Sequence, residues 1–417
     1  MPKDMIKLLV IAHNLSPEKN ASAVRIIKFL KYLPEHGIEP IVITADKKHK
    51  LPHSIKVEVV PSLLLSSPNF YGAENAEKSF MKTVIGKTKV LVKDLLFSPD
   101  KEIWWSLKTI TAASKLIKTE KIDAIFASGS PFSQFIPLVI LKAFLNKPII
   151  IDFRDPWRNH ITTNKQSIVR KLSIKFWESK AVKKANAIIA VNSLILKDLN
   201  RYRPTGELKV ITNGYDQDDF PPANESTEKK EGFIFLYTGK YSIFREDYNP
   251  TTIMEGFKLF KKTHQNDCSL TLIGPTDKDT IEFSKQYLNY GINCYEATSR
   301  DIICQMQQSA DILVHFHYPH TYDNAISLKI YEYLYSGKPI LSFNAREGLL
   351  YDFIEENQLG VTASSKDVDE IAEYFKLAYG GNLFNNYVKE STNTRKFDYY
   401  WLTGELAQII KIIARRL

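Results

Sequence analysis

Short apolar runs alternate with stretches of helical period along almost the whole chain. In the first half, IKLLVIA (6–12), PIVITA (40–45), AIFAS (124–128), PIIIDF (148–153), AIIAV (187–191) and LKVIT (208–212) read as strands. Between the first two lies ASAVRIIKFLKYLPEHG. Its Ala23, Ile26, Ile27, Leu30 and Leu33 share one helical face, and Gly37 ends the helix. A second alternation runs through FIFLYT (233–238), SLTLIG (269–274), INCYEA (292–297), DILVHF (311–316), PILSF (339–343) and GVTAS (360–364). Strands that are apolar throughout and separated by helices belong to parallel sheets covered on both faces. The polar, proline-bearing DQDDFPPANESTEKKEG (216–232) separates the two series.

The predicted architecture is therefore α/β. A doubly wound, Rossmann-like domain spans 1–215, and a linker spans 216–232. A second such domain spans 233–395, and a helix over 396–417 packs across the two. The length of 417 residues suits two cores of about 200 residues each. In sheets of this kind ligands bind at the carboxyl ends of the strands, and two such domains would face each other across a cleft.

In the final helix, Leu406, Ile409, Ile410 and Ile413 form an apolar stripe beside Lys411, Arg415 and Arg416. Core packing is the simpler reading, and a helix lying on an anionic membrane surface is the alternative. Charge bears on this choice. Lys and Arg number 56 against 47 Asp and Glu, an excess that favours anionic partners. The basic residues are scattered rather than gathered in a tail, which argues against nucleic acid. The segment 78–108, rich in lysine and including Trp104 and Trp105, is compatible with a lipid-linked or envelope glycan handled at a membrane. The apolar stretch FIPLVILKAFLNKPIIIDF is broken by Lys142, Lys147 and Pro148, so it reads as helix, turn and strand rather than a membrane span. Cys268, Cys294 and Cys304 include no CxxC, and no signal-peptide cleavage pattern follows Met5. Both points favour reduced thiols in a cytoplasmic protein, with peripheral attachment at the inner membrane face left open.

The chemistry should lie in the loops after the strands. In DNAISLKIYEYLYSGKPIL (323–341), Asn324, Ala325, Ile326, Ser327 and Leu328 lead into a helix whose free amides would favour a phosphate. Glu332, further along that helix, can accept hydrogen bonds from two ribose hydroxyls, or can simply complement the helix dipole. In YTGKYSIFRED, Gly239 permits a sharp turn, while Lys240 and Arg245 can fold onto one diphosphate or stand as solvated charges. Gly274 in LIGP allows close backbone approach, and Tyr295 in INCYEA is assigned to the same donor side. On the acceptor side, HNLSPEKNASAVR offers His13, Ser22, Ala23 and Arg25 as an acceptor or phosphate loop; an ordinary capped turn is the competing reading. Asp216 and Asp218 spell a D-x-D that reads as a turn, and His315 and His317 share a strand face without further metal ligands in view. No metal or other cofactor is expected.

At this point a family resemblance emerges. The 323–341 stretch resembles the second-domain signature of family 4 glycosyltransferases, which have the GT-B fold. That signature pairs two glutamates eight positions apart. The second maps to Glu332 and the first falls on Asn324, and SGKPIL matches the tail. Gly239, Lys240 and Arg245 match the family's diphosphate clamp with the two cation types exchanged. NGYDQDDF, IDFRDPW and SRDIICQMQQSADILV are similar to further family segments, while the glycine pair of the first loop is replaced by Ala21, Ser22 and Ala23. The resemblance implies a metal-independent glycosyltransferase that moves a sugar from a nucleotide-diphosphate donor to a glycan, lipid-linked or envelope acceptor, with retention. Its catalytic charges would be Lys240 and Arg245. A non-catalytic binder of sugar nucleotide or glycan is the alternative, motivated by Asn324 and the missing glycines.

Overall fold

The computed structural model describes residues 5–16, 23–49, 51–62, 94, 96–158, 166–220, 232–246, 248–264, 267–317, 326–363, 366–384 and 394–415. The chain divides into two compact units, Met1–Asn213 with Tyr399–Leu417, and Gly214–Asp398.

The first unit carries seven strands: β1 (Ile6–Ile11), β2 (Ile38–Thr44), β3 (Lys56–Val59), β4 (Ala124–Gly129), β5 (Ile149–Phe153), β6 (Ala187–Ala190) and β7 (Glu207–Val210). They form one parallel sheet in the order β3-β2-β1-β4-β5-β6-β7. Its helices are α1 (Ala23–Tyr32), α2 (Ile103–Thr119), α3 (Phe135–Leu145), α4 (Ile168–Lys184) and α5 (Ser193–Leu199). Alternate strand residues supply the two faces. Leu9 and Ile11 enter one apolar layer with α2 and α3, whereas Leu8 and Val10 enter the other with α1. This is why the strands read as unbroken apolar runs.

The second unit contains β8 (Phe233–Tyr241), α6 (Thr251–Thr263), β9 (Cys268–Pro275), α7 (Lys278–Ser284), β10 (Ile292–Tyr295), α8 (Arg300–Ser309) and β11 (Ile312–Phe316). It continues with α9 (Leu328–Ser336), β12 (Ile340–Phe343), α10 (Leu349–Glu356), β13 (Gly360–Ala363) and α11 (Val368–Tyr379). Its parallel sheet runs β10-β9-β8-β11-β12-β13. Phe235 and Tyr237 face one layer and Leu236 the other.

The boundary falls earlier than the polar stretch suggests. Tyr215 already bridges to Asp398, and its amide donates to the Phe397 carbonyl at 3.0 Å. Phe220 stacks on Tyr335 with ring centroids 4.0 Å apart. Residues 214–220 are thus anchored in the second unit, and 221–231 lie outside the described residues.

The last helix, α12 (Tyr399–Arg415), belongs to the first unit. Leu406, Ile409, Ile410 and Ile413 are buried in the layer beneath α1. The membrane-surface alternative for this stripe is therefore corrected: it is core. In the segment 78–108, Trp105 is buried with its Nε1 donating to the Val60 carbonyl at 2.8 Å, Trp104 is 44% exposed, and residues 78–93 lie outside the described set. No helix among the described residues is long and apolar enough to cross a membrane.

Candidate active site

In the second unit, β8, β9 and β10 end together, with Thr238 paired to Ile273 and Tyr295 to Ile273. Two glycines break the β8–β9 register near the strand ends, Gly239 with φ of 139° and Gly274 with φ of 106°, before pairing resumes at Tyr241 and Pro275. A Cβ on Gly274 would lie 2.8 Å from the Gly239 carbonyl oxygen, and one on Gly239 would lie 2.6 Å from Lys329 Nζ. Neither position has room or a suitable backbone conformation for another residue. The glycines and the start of α9 therefore meet at one place.

Two cations converge there. The Arg245 guanidinium lies 5.0 Å from the Tyr248 ring centroid. Lys329 Nζ lies 4.9 Å from the same ring and 4.2 Å from that of Tyr237, and it donates to Tyr237 Oη at 2.6 Å. Lys329 as a whole is half-buried, but its ammonium is the part these rings enclose. Its pKa is lowered to about 7, first by burial and then by Arg245, with Glu332 acting in the opposite sense. Lys240 stands exposed at the tip of β8. Lys329 thus occupies the place beside Arg245 that the sequence reading gave to Lys240. The sequence did contain a signal for it: Lys329 sits three residues before Glu332, on the same helical face.

Helix α9 opens at Ser327 with no side-chain cap; the Ile330 amide donates to the Ser327 carbonyl at 3.0 Å, and the Leu328 and Lys329 amides precede it at the free end of the helix. It is held against the sheet by Tyr333. That hydroxyl accepts from the Thr238 amide at 3.0 Å and donates to the Val314 carbonyl at 3.2 Å. Gln307 Nε2 braces Thr238 Oγ1 at 2.8 Å. Glu332 is oriented by Arg300, whose Nη1 lies 3.0 Å from Glu332 Oε1 and whose Nη2 lies 3.2 Å from Asp219 Oδ2. Ile326 and Leu328 flank the helix start, half-buried; Asn324 and Ala325 lie outside the described residues.

His315 is buried, with Nδ1 at 3.0 Å from Ser342 Oγ and Nε2 without a hydrogen-bond partner. Burial holds its pKa well below the usual histidine range, and Lys329 and His317 add to the effect. Among the described residues no three metal-ligating side chains gather. Asp216 caps a turn, its Oδ1 accepting from the Asp218 amide at 3.0 Å. Tyr295 is exposed at the end of β10. It borders a groove of about 380 Å³ lined also by Ile273, Glu296, Thr298 and Met306.

In the first unit the expectation for Arg25 requires correction. Its Nε and Nη2 bind Asp152 Oδ2 and Oδ1 at 2.9 and 3.0 Å, and its other donors reach the Ile211 and Thr212 carbonyls. It is fully buried, so a ligand anion would have to displace an internal partner. Asp152 also accepts from Ser128 Oγ at 2.6 Å, and Arg154 donates to the Gly129 and Ser130 carbonyls. The IDFRDPW motif therefore ties the strand ends together. Ala23 is buried as the first residue of α1, and Ser22 lies outside the described residues. The His13 ring meets Trp105 edge-on at 4.7 Å, and its Nε2 has no hydrogen-bond partner. Burial and Lys101 lower its pKa to about 4, against the pull of Asp46, so it is a neutral imidazole near neutral pH.

Two doubly wound parallel sheets covered by helices are the architecture of the GT-B fold. Two family models account for most of the chain: Glycosyltransferase Family 4 matches residues 22–219, and Glycosyl transferases group 1 matches residues 219–396. The protein belongs to the family 4 glycosyltransferases. Solved structures share the fold at low identity. A glycosyltransferase from Rickettsia africae ESF-5 is 14% identical with a TM-score of 0.62, covering 100% of both chains. WaaG, a glycosyltransferase involved in lipopolysaccharide biosynthesis, is 12% identical with a TM-score of 0.60, covering 97% of this chain and 99% of its own. An E. coli trehalose-6-phosphate protein bound with UDP-2-fluoro glucose is 9% identical with a TM-score of 0.58, covering 97% of this chain and 99% of its own. No curated protein matches the sequence.

Proposed function

We propose that this glycosyltransferase takes its sugar from a nucleoside diphosphate and passes it to a glycan, lipid-linked or envelope acceptor with retention of anomeric configuration. The observation that carries the donor reading is the convergence of Arg245 and Lys329 on the two glycines and the uncapped start of α9. The leaving group is a diphosphate whose negative charge grows as the glycosidic bond breaks. Fixed positive groups lower that barrier because they are already in place and need no reorganisation. Arg245 can chelate two oxygens, and Lys329 supplies a point charge. Close backbone approach at Gly239 and Gly274 brings amides within reach of the phosphates.

Glu332 would receive the ribose hydroxyls on Oε2 while Arg300 holds Oε1. The exposed Tyr295 ring offers a stacking surface to the nucleobase. In the transfer itself the acceptor oxygen bonds to the anomeric carbon as the sugar–phosphate bond breaks. The acceptor proton passes to the departing diphosphate oxygen on the same face, so no protein nucleophile is required. Charge compensation by these cations makes a divalent metal dispensable in this reading.

The test is a thermal-shift and calorimetric screen of nucleoside diphosphates and their sugars, followed by transfer assays with NMR of the product anomer, with and without EDTA. Arg245→Ala and Lys329→Ala are each expected to lower turnover on the order of 10²-fold. Wild-type turnover in both variants with the true substrates would reject the assignment. A nucleotide bound without turnover on any donor and acceptor pair would instead favour a binding-only role.

A further inference from the structure

Among the described residues, the outer face of α4 carries a row of exposed apolar side chains. Ile168, Leu172 and Phe176 recur at four-residue spacing and are 76%, 60% and 52% exposed. Four-residue spacing places them in one row along the helix, about 12 Å from first to last. Scattered exposed apolar residues are ordinary, but a continuous row is not. The rest of the helix shows that the row is no slipped core stripe. Ile174, Ala181 and Val182 already fill the buried face.

The flanks of the row are cationic. By helical position Lys171 and Lys175 lie on one side and Lys180 on the other, with Lys183 beyond Phe176 in the same row. Lys180 Nζ lies 5.6 Å from the Phe176 ring. The single acidic residue of the helix, Glu178, is turned inward. It accepts from Tyr202 Oη at 2.7 Å and from the Arg158 amide at 3.1 Å.

We infer that the row Ile168, Leu172 and Phe176, with its lysine flanks, docks on an anionic lipid bilayer. The charge chooses this occupant. Apolar side chains ringed by lysines match the boundary between acyl chains and anionic headgroups, where the rings and branched chains enter the apolar layer and the ammonium groups remain among phosphates. An apolar protein partner would gain nothing from the lysines, and a nucleic acid would gain nothing from the apolar row. The face belongs to the first unit and the donor residues to the second, so the docking argument does not rest on the donor reading.

The experiment is vesicle flotation of the full chain with phosphatidylcholine alone and with an equal mixture of phosphatidylcholine and phosphatidylglycerol. The protein is expected to float with the anionic vesicles only, and increasingly less as salt rises. The double variant Lys175→Glu, Lys180→Glu should lower partitioning at least ~10-fold, since each basic residue near such a surface is worth roughly fivefold. The triple variant Ile168→Ser, Leu172→Ser, Phe176→Ser should abolish it while the thermal midpoint holds, because all three side chains are already outside the core. Absence of flotation in the wild type, or unchanged flotation in folded variants, would overturn the inference. So would a self-association seen by sedimentation that the triple variant removes without any vesicle binding.

Discussion

Donor binding should draw a proton onto Lys329. In the empty site this amine has a pKa of about 7, because enclosure by Tyr237 and Tyr248 and repulsion by Arg245 outweigh the pull of Glu332. A diphosphate placed beside it supplies the missing negative charge and should return it toward the ordinary lysine value of ~10.4. Around pH 8 the empty amine is then protonated in only ~10% of molecules and the bound amine in nearly all, so uptake approaches ~0.9 proton per ligand. The sign fixes the affinity profile. Each pH unit above about 7 raises Kd roughly tenfold, or about 1.4 kcal/mol, until the bound-state pKa is reached. Free phosphate groups of this type titrate near ~6, so the ligand itself contributes little on that limb. Calorimetric titration with UDP at that pH, in buffers of contrasting ionisation enthalpy, reads the uptake from the slope of heat against buffer enthalpy. Lys329→Met should bind more weakly at neutral pH, with the uptake gone and the pH profile flat. Tight binding with no net uptake in the wild type, or equal uptake in Lys329→Met, would refute this reasoning.

Lys329→Met should also stabilise the empty protein, since a lysine whose folded pKa is depressed lowers stability as pH falls from ~10.4 towards 7 and no further below; thermal midpoints across that range should diverge toward neutrality. Gly274→Ala forces a side chain onto the Gly239 carbonyl at a φ of 106° and should cost at least about 2 kcal/mol in urea denaturation, with loss of nucleotide binding. Arg25→Ala strands the buried Asp152 carboxylate and should destabilise the fold by roughly 3–5 kcal/mol by calorimetry. Tyr333→Phe leaves the Thr238 amide short of a partner and should cost about 1–2 kcal/mol, with a few-fold weaker nucleotide affinity by titration.

The strands were legible because both faces of each sheet are covered, which writes them into the sequence as unbroken apolar runs such as IKLLVIA and PIIIDF. The final helix was legible as an amphipathic element, but its partner was not. Period alone cannot distinguish a stripe that meets α1 from one that meets lipid. The same limit governed the first-unit loop. Arg25 has the residue type and the position of an anion ligand, yet the carboxylate that saturates it lies 127 residues away at Asp152. The polar run 216–232 puts Tyr215 at the end of the first domain and Phe220 in the linker, whereas their ring contacts with Tyr335 place both in the second unit. Lys329 escaped notice because a lysine within a helix ordinarily reads as a solvated charge. Only the approach of Tyr237 and Tyr248 from other segments makes it a buried one.

These long-range contacts give the candidate site an internal logic. Lys329 and Glu332 stand three residues apart on α9, so one helix would address both the diphosphate and the ribose of a donor. The two ends are balanced differently. At the ribose end, Arg300 lies between Glu332 and Asp219, so the charges are already compensated without ligand. At the phosphate end, Arg245 and Lys329 repel each other, and the neighbouring His315 is kept neutral. Without ligand the site is thus under electrostatic tension at one end only. A ligand would gain most where that tension lies, which would orient a nucleoside diphosphate along the helix with its phosphates toward Lys329. Tyr333, set between the two ends and fixed to β8 and β11, keeps their spacing constant. Any motion of α9 that loosened the phosphate contacts would therefore release the ribose with them, coupling departure of the spent nucleotide to a single element.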